Sequence, residues 1–481
     1  MKYYIGIDLG TSSCKGILCD KDGKIYKQSN VGYPVLYPRD GWTEQNPDEW
    51  LCAAETILKE LSRGVEDDVF GLSFGGQMHG LVTLDENDRV IRPAILWNDG
   101  RTEKETAYLN DVVGKEKLSE LTGNIAFAGF TAPKLLWMRE NEPDNFNRIA
   151  KICLPKDYLA YKLTGVFSTD YSDASGTLLL DVKNKCWSKE MCRICGVKEE
   201  WLPTLYESYA VTGRLLAAYG LKNCVVTAGA GDNAAAAIGT GTVRNGSCNL
   251  SLGTSGTIFL SQDRFSVDSR NALHSFAHAN GKWHLMGCIL SAASCRKWWL
   301  EDIRGTDDYG ADEQAVSSPD AASDILFLPY LAGERSPHND VNARGAFIGL
   351  AANTTKAQMS RAVMEGVAFA LRDCLEIAKE NGVCPTETNL CGGGAKSAVW
   401  RQIVADVFNM PVRILTTEQG PSLGGAMLAM VGAGEYGSVS EAADAIVSVS
   451  ETILPNAISA AKLERKYCAF RKLYPALKNL Y

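Results

Sequence analysis

Residues 4–19, YIGIDLGTSSCKGILC, decide how this chain is read. Tyr4, Ile5 and Ile7 precede a polar centre, and Ile17, Leu18 and Cys19 follow it, which predicts two short strands joined by a tight turn. The turn is Asp8-Leu9-Gly10-Thr11-Ser12-Ser13. Gly10 is free to take a positive φ, which would reverse the chain and present bare N–H groups to an anion. Thr11, Ser12 and Ser13 add hydroxyl donors, and Asp8 suits a divalent cation that accompanies phosphate. Taken alone, the stretch also fits an ordinary N-terminal hairpin in which Asp8 is a turn former.

A second copy changes the reading. Residues 248–259, CNLSLGTSGTIF, repeat strand, glycine turn and strand, with Gly253, Thr254 and Ser255 in the turn and Ser251 where Asp8 stood. Self-similarity at half a chain's distance points to a duplicated domain. Two facing domains would set the turns on either side of one cleft. Only one turn has a carboxylate, so one is expected to handle the metal while both hold phosphate.

The chain has 481 residues, too many for one core, and two domains are expected, 1–243 and 244–481. The boundary falls at Val243-Arg244-Asn245-Gly246, just ahead of the second turn. A hydrophobic share of 46% and a charged share of 22% are those of a globular protein. The net charge of -8 argues against nucleic acid or an anionic membrane as partner. The start, MKYYIGIDLG, enters a strand at once, without the apolar core of a signal segment, and no apolar run is long enough to span a bilayer. The fifteen cysteines are scattered, mostly in apolar company, and read as reduced and buried in a cytoplasmic protein.

Other stretches supply candidate chemistry. Asn46-Pro47-Asp48-Glu49 starts a helix whose apolar face is Trp50, Ala53, Ala54, Ile57, Leu58 and Leu61. A buried strand over 69–74 runs into Gly75-Gly76-Gln77-Met78-His79-Gly80, where the glycines let Gln77, Met78 and His79 project from a strand end. A further strand, 94–97, ends in Asn98-Asp99-Gly100-Arg101, and helices start near Thr131 and Lys156. A strand at 224–228 leads through Gly229-Ala230-Gly231 to Asp232 and Asn233 and then to small residues that permit close helix packing. Asp232 reads either as a helix N-cap or as a base exposed in the cleft. Later, a strand at 388–390 meets Cys391-Gly392-Gly393-Gly394-Ala395, and a helix over 398–408 follows with its N-terminus aimed at the glycines, a phosphate or nucleotide cradle. Gly424-Gly425 lies in a small-residue helix and reads as a packing site.

With these residues in place the chain resembles the FGGY carbohydrate kinases of the hexokinase and actin superfamily. GFTAPKLLWMREN at 129–141 and GAFIGLAANTTKAQMSRAVME at 345–365 are similar to that family's two signatures. ILWNDGR at 95–101, LPKDYL at 154–159, GDNAA at 231–235, LSAASC at 290–295 and FLPYLAGERSPH at 327–338 extend the likeness from Tyr4 to about Gly425. The resemblance implies an α/β fold of two actin-like, ribonuclease-H-like domains with a cleft between them, sugar in the first and most of ATP in the second. It implies Asp232 as catalytic base, Gln77, Met78, His79 and Asn233 at the sugar, and Gly393, Gly394, Ala395 and Ala398 at the nucleotide. It makes Gly10, Thr11, Ser12, Gly253, Thr254 and Ser255 the phosphate turns, with Asp8 placing Mg²⁺. The Met78-His79 pair favours a ketopentose, D-xylulose, over glycerol. The implied partners are the small-molecule sugar and ATP, and a homodimer is common among such relatives. Other acceptors in the same family, and an actin-like nucleotide-binding protein that phosphorylates nothing, are the competing readings.

Overall fold

The computed structural model describes residues 1–417 and 419–481. Each half of the chain builds one seven-stranded mixed sheet. In the first half, β1 (Tyr3–Leu9), β2 (Ser13–Cys19) and β3 (Ile25–Gly32) form an antiparallel meander. Next come α1 (Pro47–Ser62), β4 (Val69–Gly76), α2 (Thr131–Asn141) and α3 (Pro155–Thr164). β5 (Val211–Arg214), β6 (Val225–Thr227), β7 (Ala230–Gly231) and α4 (Asp232–Gly239) complete the half. The sheet order is β5-β6-β4-β1-β2-β3, with β7 also on β4, and β4 is parallel to β1, β6 and β7.

The second half repeats this plan with β8 (Cys248–Leu252), β9 (Gly256–Gln262), β10 (His274–Ala277) and β11 (Trp283–Ile289). A 25-residue helix, α5 (Lys356–Glu380), follows, then β12 (Thr388–Cys391), α6 (Ala398–Phe408), β13 (Val412–Leu415), α7 (Gly420–Gly432) and β14 (Val449–Ile453). Its order is β10-β11-β9-β8-β12-β13-β14; six of these strands, β11 to β14 along the path, match β3-β2-β1-β4-β6-β5 around the parallel pair β8–β12, while β10 is added at the edge and β7 has no counterpart. The expected α/β class and the duplication are both present.

Local chemistry explains the elements. Asn46 caps α1 by accepting from the Asp48 N–H at 3.2 Å, and Pro47 occupies the first turn. The face buried by α1 is the one read from the sequence, Trp50, Ala53, Ala54, Ile57, Leu58 and Leu61. β1 is buried on both faces at the centre of its sheet, whereas β3, at the edge, alternates half-buried and exposed residues.

One expectation about the turns fails: neither Gly10 nor Gly253 takes a positive φ. The first turn closes instead through the Gly10 N–H, which donates to the Ser13 carbonyl at 3.0 Å. A Cβ at Gly10 would lie 3.1 Å from that carbonyl, so glycine is selected by close approach rather than by handedness.

The chain returns to its first sheet near the end. α7 packs on β1, β4 and α4, where Leu423, Ala426, Met427 and Met430 share a core with Tyr4, Ala230, Ala234 and Ile238. Glycine makes the approach possible, because a Cβ on Gly424 would sit 1.8 Å from the Ala235 carbonyl oxygen and one on Gly6 1.8 Å from that of Ser422. The small-residue helix is thus the packing site expected of it. A second link runs the other way. Asn124 of the first half brackets β10 of the second, donating to the Ser275 carbonyl (2.9 Å) and accepting from its N–H (3.1 Å).

Candidate active site

The parallel strands bring the candidate residues to one edge of each sheet. In the first half, Asp8 on β1 is in register with Gly75 on β4, and Ala230 on β7 pairs with the same Gly75 from the other side. The Gly10 turn, the Gln77–Gly80 loop and Asp232 therefore leave neighbouring strand ends together, the edge at which open α/β sheets bind ligands. In the second half, Ser251 on β8 pairs with Cys391 on β12, so the Gly253 turn and the glycine run also emerge side by side.

Asp232 is the first residue of α4, and Gly231, not Asp232, is the cap. The Asp232 carboxylate accepts from the Asn233 N–H at 2.7 Å and the Asn233 side-chain amide at 3.0 Å. A position at a helix start would be expected to keep the acid ionised. Burial and the charge of Asp8 outweigh that effect and push its pKa up to about 7. Asp8 itself is half-buried and is pushed up to about 6 by burial, against the opposing pull of Lys15. A proton acceptor at about 7 is matched to neutral pH.

The Gln77–Gly80 loop is held in detail. The Gln77 amide side chain donates to Gln45 Oε1 at 2.9 Å, and Gln45 donates onward to the Thr11 carbonyl at 2.6 Å. Gln77 thus shapes the loop and, through Gln45, the first glycine turn. Met78 covers Gly231, where an added Cβ would meet its side chain at 2.9 Å, and its sulfur lies 3.9 Å from the Asn233 amide nitrogen. His79 sits at φ 69°, a left-handed conformation that costs of order 1–3 kcal/mol for a residue with a side chain. Its ring stacks on Phe130 at 4.6 Å, and Nδ1–H donates to the Gly176 carbonyl at 2.8 Å. Burial pushes its pKa down to about 3, so the imidazole is neutral and Nε2 is left as an acceptor. Met78, His79, Asn233 and Asp232 therefore form one continuous wall.

Several residues of the site were not read from the sequence. Trp97, 40% exposed, donates from its indole to the Thr11 hydroxyl at 3.0 Å. An aromatic residue at a strand end was the signal available for it. Ser172 Oγ accepts from the Gly231 N–H at 3.2 Å, fixing the residue just before Asp232. Asp170 holds Ser172 in turn, accepting from its N–H at 2.8 Å and from the Ser208 hydroxyl at 2.7 Å, with the buried Lys156 at 2.9 Å. No spacing in the sequence signals this chain, because its members meet only in the fold.

The second half offers a backbone cradle. Gly392 takes φ +87°, and a Cβ there would lie 2.7 Å from the Leu252 carbonyl carbon, so the glycine run is pressed against the second turn. A Cβ on Gly393 would meet nothing within 4 Å, which leaves that backbone open to a ligand. Gly394 and Ala395 are buried behind it. The Gly253 turn is fixed from outside, its carbonyl accepting from the Ala293 N–H at 2.8 Å and that of Thr254 from the Ala292 N–H at 2.9 Å.

The start of α6 differs from expectation. Glu313 accepts from the Ser397 hydroxyl at 2.6 Å and the Val399 N–H at 3.0 Å, so a carboxylate of the protein already fills this helix N-terminus. Ala398 is exposed at the first position of α6.

The donor set fits a hard divalent cation. The Asp8 carboxylate acts on that of Asp232, and with the hydroxyls of Thr11 and Ser12 in the turn that follows Asp8 all four are oxygen donors. Among the described residues neither carboxylate makes a salt bridge.

Known proteins with this arrangement are numerous. The models of the N-terminal and C-terminal domains of the FGGY family of carbohydrate kinases match residues 3–239 and 248–433. A xylulose kinase of Escherichia coli is 41% identical over 99% of both chains. Among solved structures, a xyloylose kinase from Brucella ovis superposes with a TM-score of 0.95 at 38% identity over the whole of both chains. A gluconate kinase from Lactobacillus acidophilus superposes with a TM-score of 0.94 at 28% identity, covering 99% of this chain and 98% of its own. With two domain models matched in order and a relative 41% identical over 99% of both chains, the chain belongs to the FGGY family of carbohydrate kinases.

Proposed function

We propose that this enzyme transfers the γ-phosphoryl group of ATP to the C5 hydroxyl of D-xylulose, giving D-xylulose 5-phosphate. The observation that supports it best is the Asp232 carboxylate, its pKa near neutrality, set beside the Met78-His79 wall and facing the turn that contains Asp8. Phosphoryl transfer passes through a loose transition state, so positioning and charge stabilisation supply most of the rate. Met78, His79 and Asn233 orient the sugar, with His79 Nε2 accepting one hydroxyl. Asp232 accepts the proton of the attacking hydroxyl as the new P–O bond forms. N–H and hydroxyl groups of the two turns, Gly10 to Ser12 and Gly253 to Ser255, hold the transferring oxygens. Gly393, Gly394 and Ala395, with Ala398 at their edge, receive the nucleotide. Asp8 would hold a Mg²⁺ ion, which offsets phosphate charge when bound.

We place the enzyme in the cytoplasm as a homodimer. Its fifteen cysteines, most of them buried, suit a reducing compartment, and sedimentation velocity tests the dimer.

The nearest rival is a different acceptor within the family, and the likeness to a gluconate kinase makes a sugar acid the specific one. A carboxylate acceptor calls for a cation; Met78, His79 and Asn233 present a thioether, a neutral imidazole and an amide, and of the two cations whose charge reaches His79, Lys134 and Arg335, Lys134 is engaged by the His79 and Gly129 carbonyls. A non-catalytic actin-like protein would need neither this wall nor Asp232. The test is ADP release with Mg-ATP across D-xylulose, D-ribulose, L-ribulose, glycerol and gluconate, with Asp232→Ala as control. Turnover on D-xylulose that is lost in the control is expected. Turnover on gluconate above that on D-xylulose would overturn the acceptor assignment, and none on any sugar would overturn the activity.

A further inference from the structure

Lys134 is fully buried at the first turn of α2, where an apolar side chain of similar length would be accommodated without removing a charge from water. Its Nζ donates to two backbone carbonyls, His79 at 2.8 Å and Gly129 at 2.7 Å. The Thr131 hydroxyl donates to the same His79 carbonyl at 3.1 Å. Phe130, between them, stacks on the His79 ring. The segment 129–134 therefore grips His79 at both its carbonyl and its ring. It also packs against the backbone of Trp97, since a Cβ on Gly129 would lie 2.4 Å from the Trp97 carbonyl oxygen. The grip bears on a left-handed backbone, a conformation uncommon for residues with a side chain.

We propose that Lys134 is a positioning residue for the acceptor sugar: by holding the His79 carbonyl it fixes the backbone twist that turns the imidazole to the substrate. The inference rests on the reading of the Met78-His79 loop as the sugar wall. Burial holds the Lys134 pKa well below its ordinary value, which suits a donor to neutral carbonyls rather than an ion-pair partner. Asp99 and Arg101 are the charged groups that act on it, with opposite signs.

The experiment uses the full chain with Lys134→Met and Thr131→Val. Two readouts are taken: the KM values for D-xylulose and ATP, and the imidazole resonances of histidine-labelled protein without substrate. The chain has five histidines, and His79→Gln assigns the relevant signal. Lys134→Met is expected to raise the sugar KM about tenfold or more, to leave the ATP KM within about twofold, and to shift the His79 signals. Thr131→Val, which removes one donor from the same carbonyl, is expected to act in the same direction and less. A purely structural lysine would lower melting temperature while leaving both KM values and the His79 signals of the folded fraction unchanged, and that result overturns the proposal. If Lys134→Met does not fold, Thr131→Val decides in the same way. Absent D-xylulose turnover in the wild type would defeat the proposed function, whereas the histidine signals judge the positioning role without any substrate.

Discussion

The two glycine turns share the sequence LGTS and differ in nearly everything around it. The first spans four residues between the paired Leu9 and Cys14, the second three between Leu252 and Gly256. Side chains of its own half hold the first: Tyr33 on the Gly10 carbonyl, Gln45 on the Thr11 carbonyl and Trp97 on the Thr11 hydroxyl. Backbone N–H groups of Ala292 and Ala293 and the Ser294 hydroxyl hold the second, all from one neighbouring segment, with Gly392 pressed against it. Asp8 stands at the first and Ser251 at the second. A duplicated scaffold has thus diverged into an acidic turn, suited to a proton acceptor and a cation, and a second turn that has no carboxylate of its own.

The sharpest break in this comparison removes the acid that has no counterpart in the second half. Asp232→Asn keeps the size and the bond to the Asn233 N–H but cannot accept the proton. Turnover on D-xylulose is expected to fall by about 10²–10⁴-fold, with ATP affinity measured by calorimetry nearly unchanged. Near-normal turnover would remove Asp232 from its role.

Making the first turn resemble the second is the next step. Asp8→Asn copies the neutrality at Ser251 and should lower kcat by roughly 10²-fold through the loss of charge organisation at phosphate. It should also move the acid limb of the kcat/KM–pH profile. Asp232 must be ionised to act, and Asp8 is one reason its pKa stands at about 7. Removing that charge lowers the pKa, so the limb shifts to lower pH. A limb that stays in place would show that the two acids do not interact.

The second turn can be broken by itself. Gly392→Ala places a Cβ against Leu252 at a positive φ and should displace the Gly253 turn, raising the ATP KM about tenfold with the sugar KM unchanged. Gly393→Ala enters open space and should leave the melting temperature unchanged while still raising the ATP KM. Equal effects on both substrates would mean that the cradle is not specific to nucleotide.

These contrasts also mark how far the sequence could be read. Local rules were sufficient for α1, whose cap and apolar face follow from adjacent residues, and for α6, which begins and ends where the glycine run and the apolar pattern put it. The turns and the glycine loops were legible because glycine and hydroxyl residues cluster there. What escaped depends on distance along the chain. Glu313 reaches the start of α6 from 84 residues away, Asn124 meets β10 across about 150, and Lys134 finds His79 from 55. The same limit applies to the pKa of Asp232. A helix start is a local feature, whereas the burial and the neighbouring Asp8 that override it are tertiary.

The smallest effect follows from the same pair of acids, on stability rather than rate. Asp8 and Asp232 have folded pKa values of about 6 and about 7, above the ordinary carboxyl value near 4 that holds in the unfolded chain. Below about pH 4 both are protonated in both states, and their contribution to stability is fully present. As pH rises through 6 and 7 the folded protein must ionise acids that its interior resists, and that contribution is lost. Asp8→Asn has no proton to lose. Without nucleotide or metal it should melt a few degrees above the wild type at about pH 8, and the two should converge towards pH 4. A wild type that is the more stable at pH 8 would mean that Asp8 gains more from Lys15 than it loses to burial and to Asp232. The asymmetry between the turns would then be a structural ion pair, and not an acid held ready for phosphate at the expense of the resting fold.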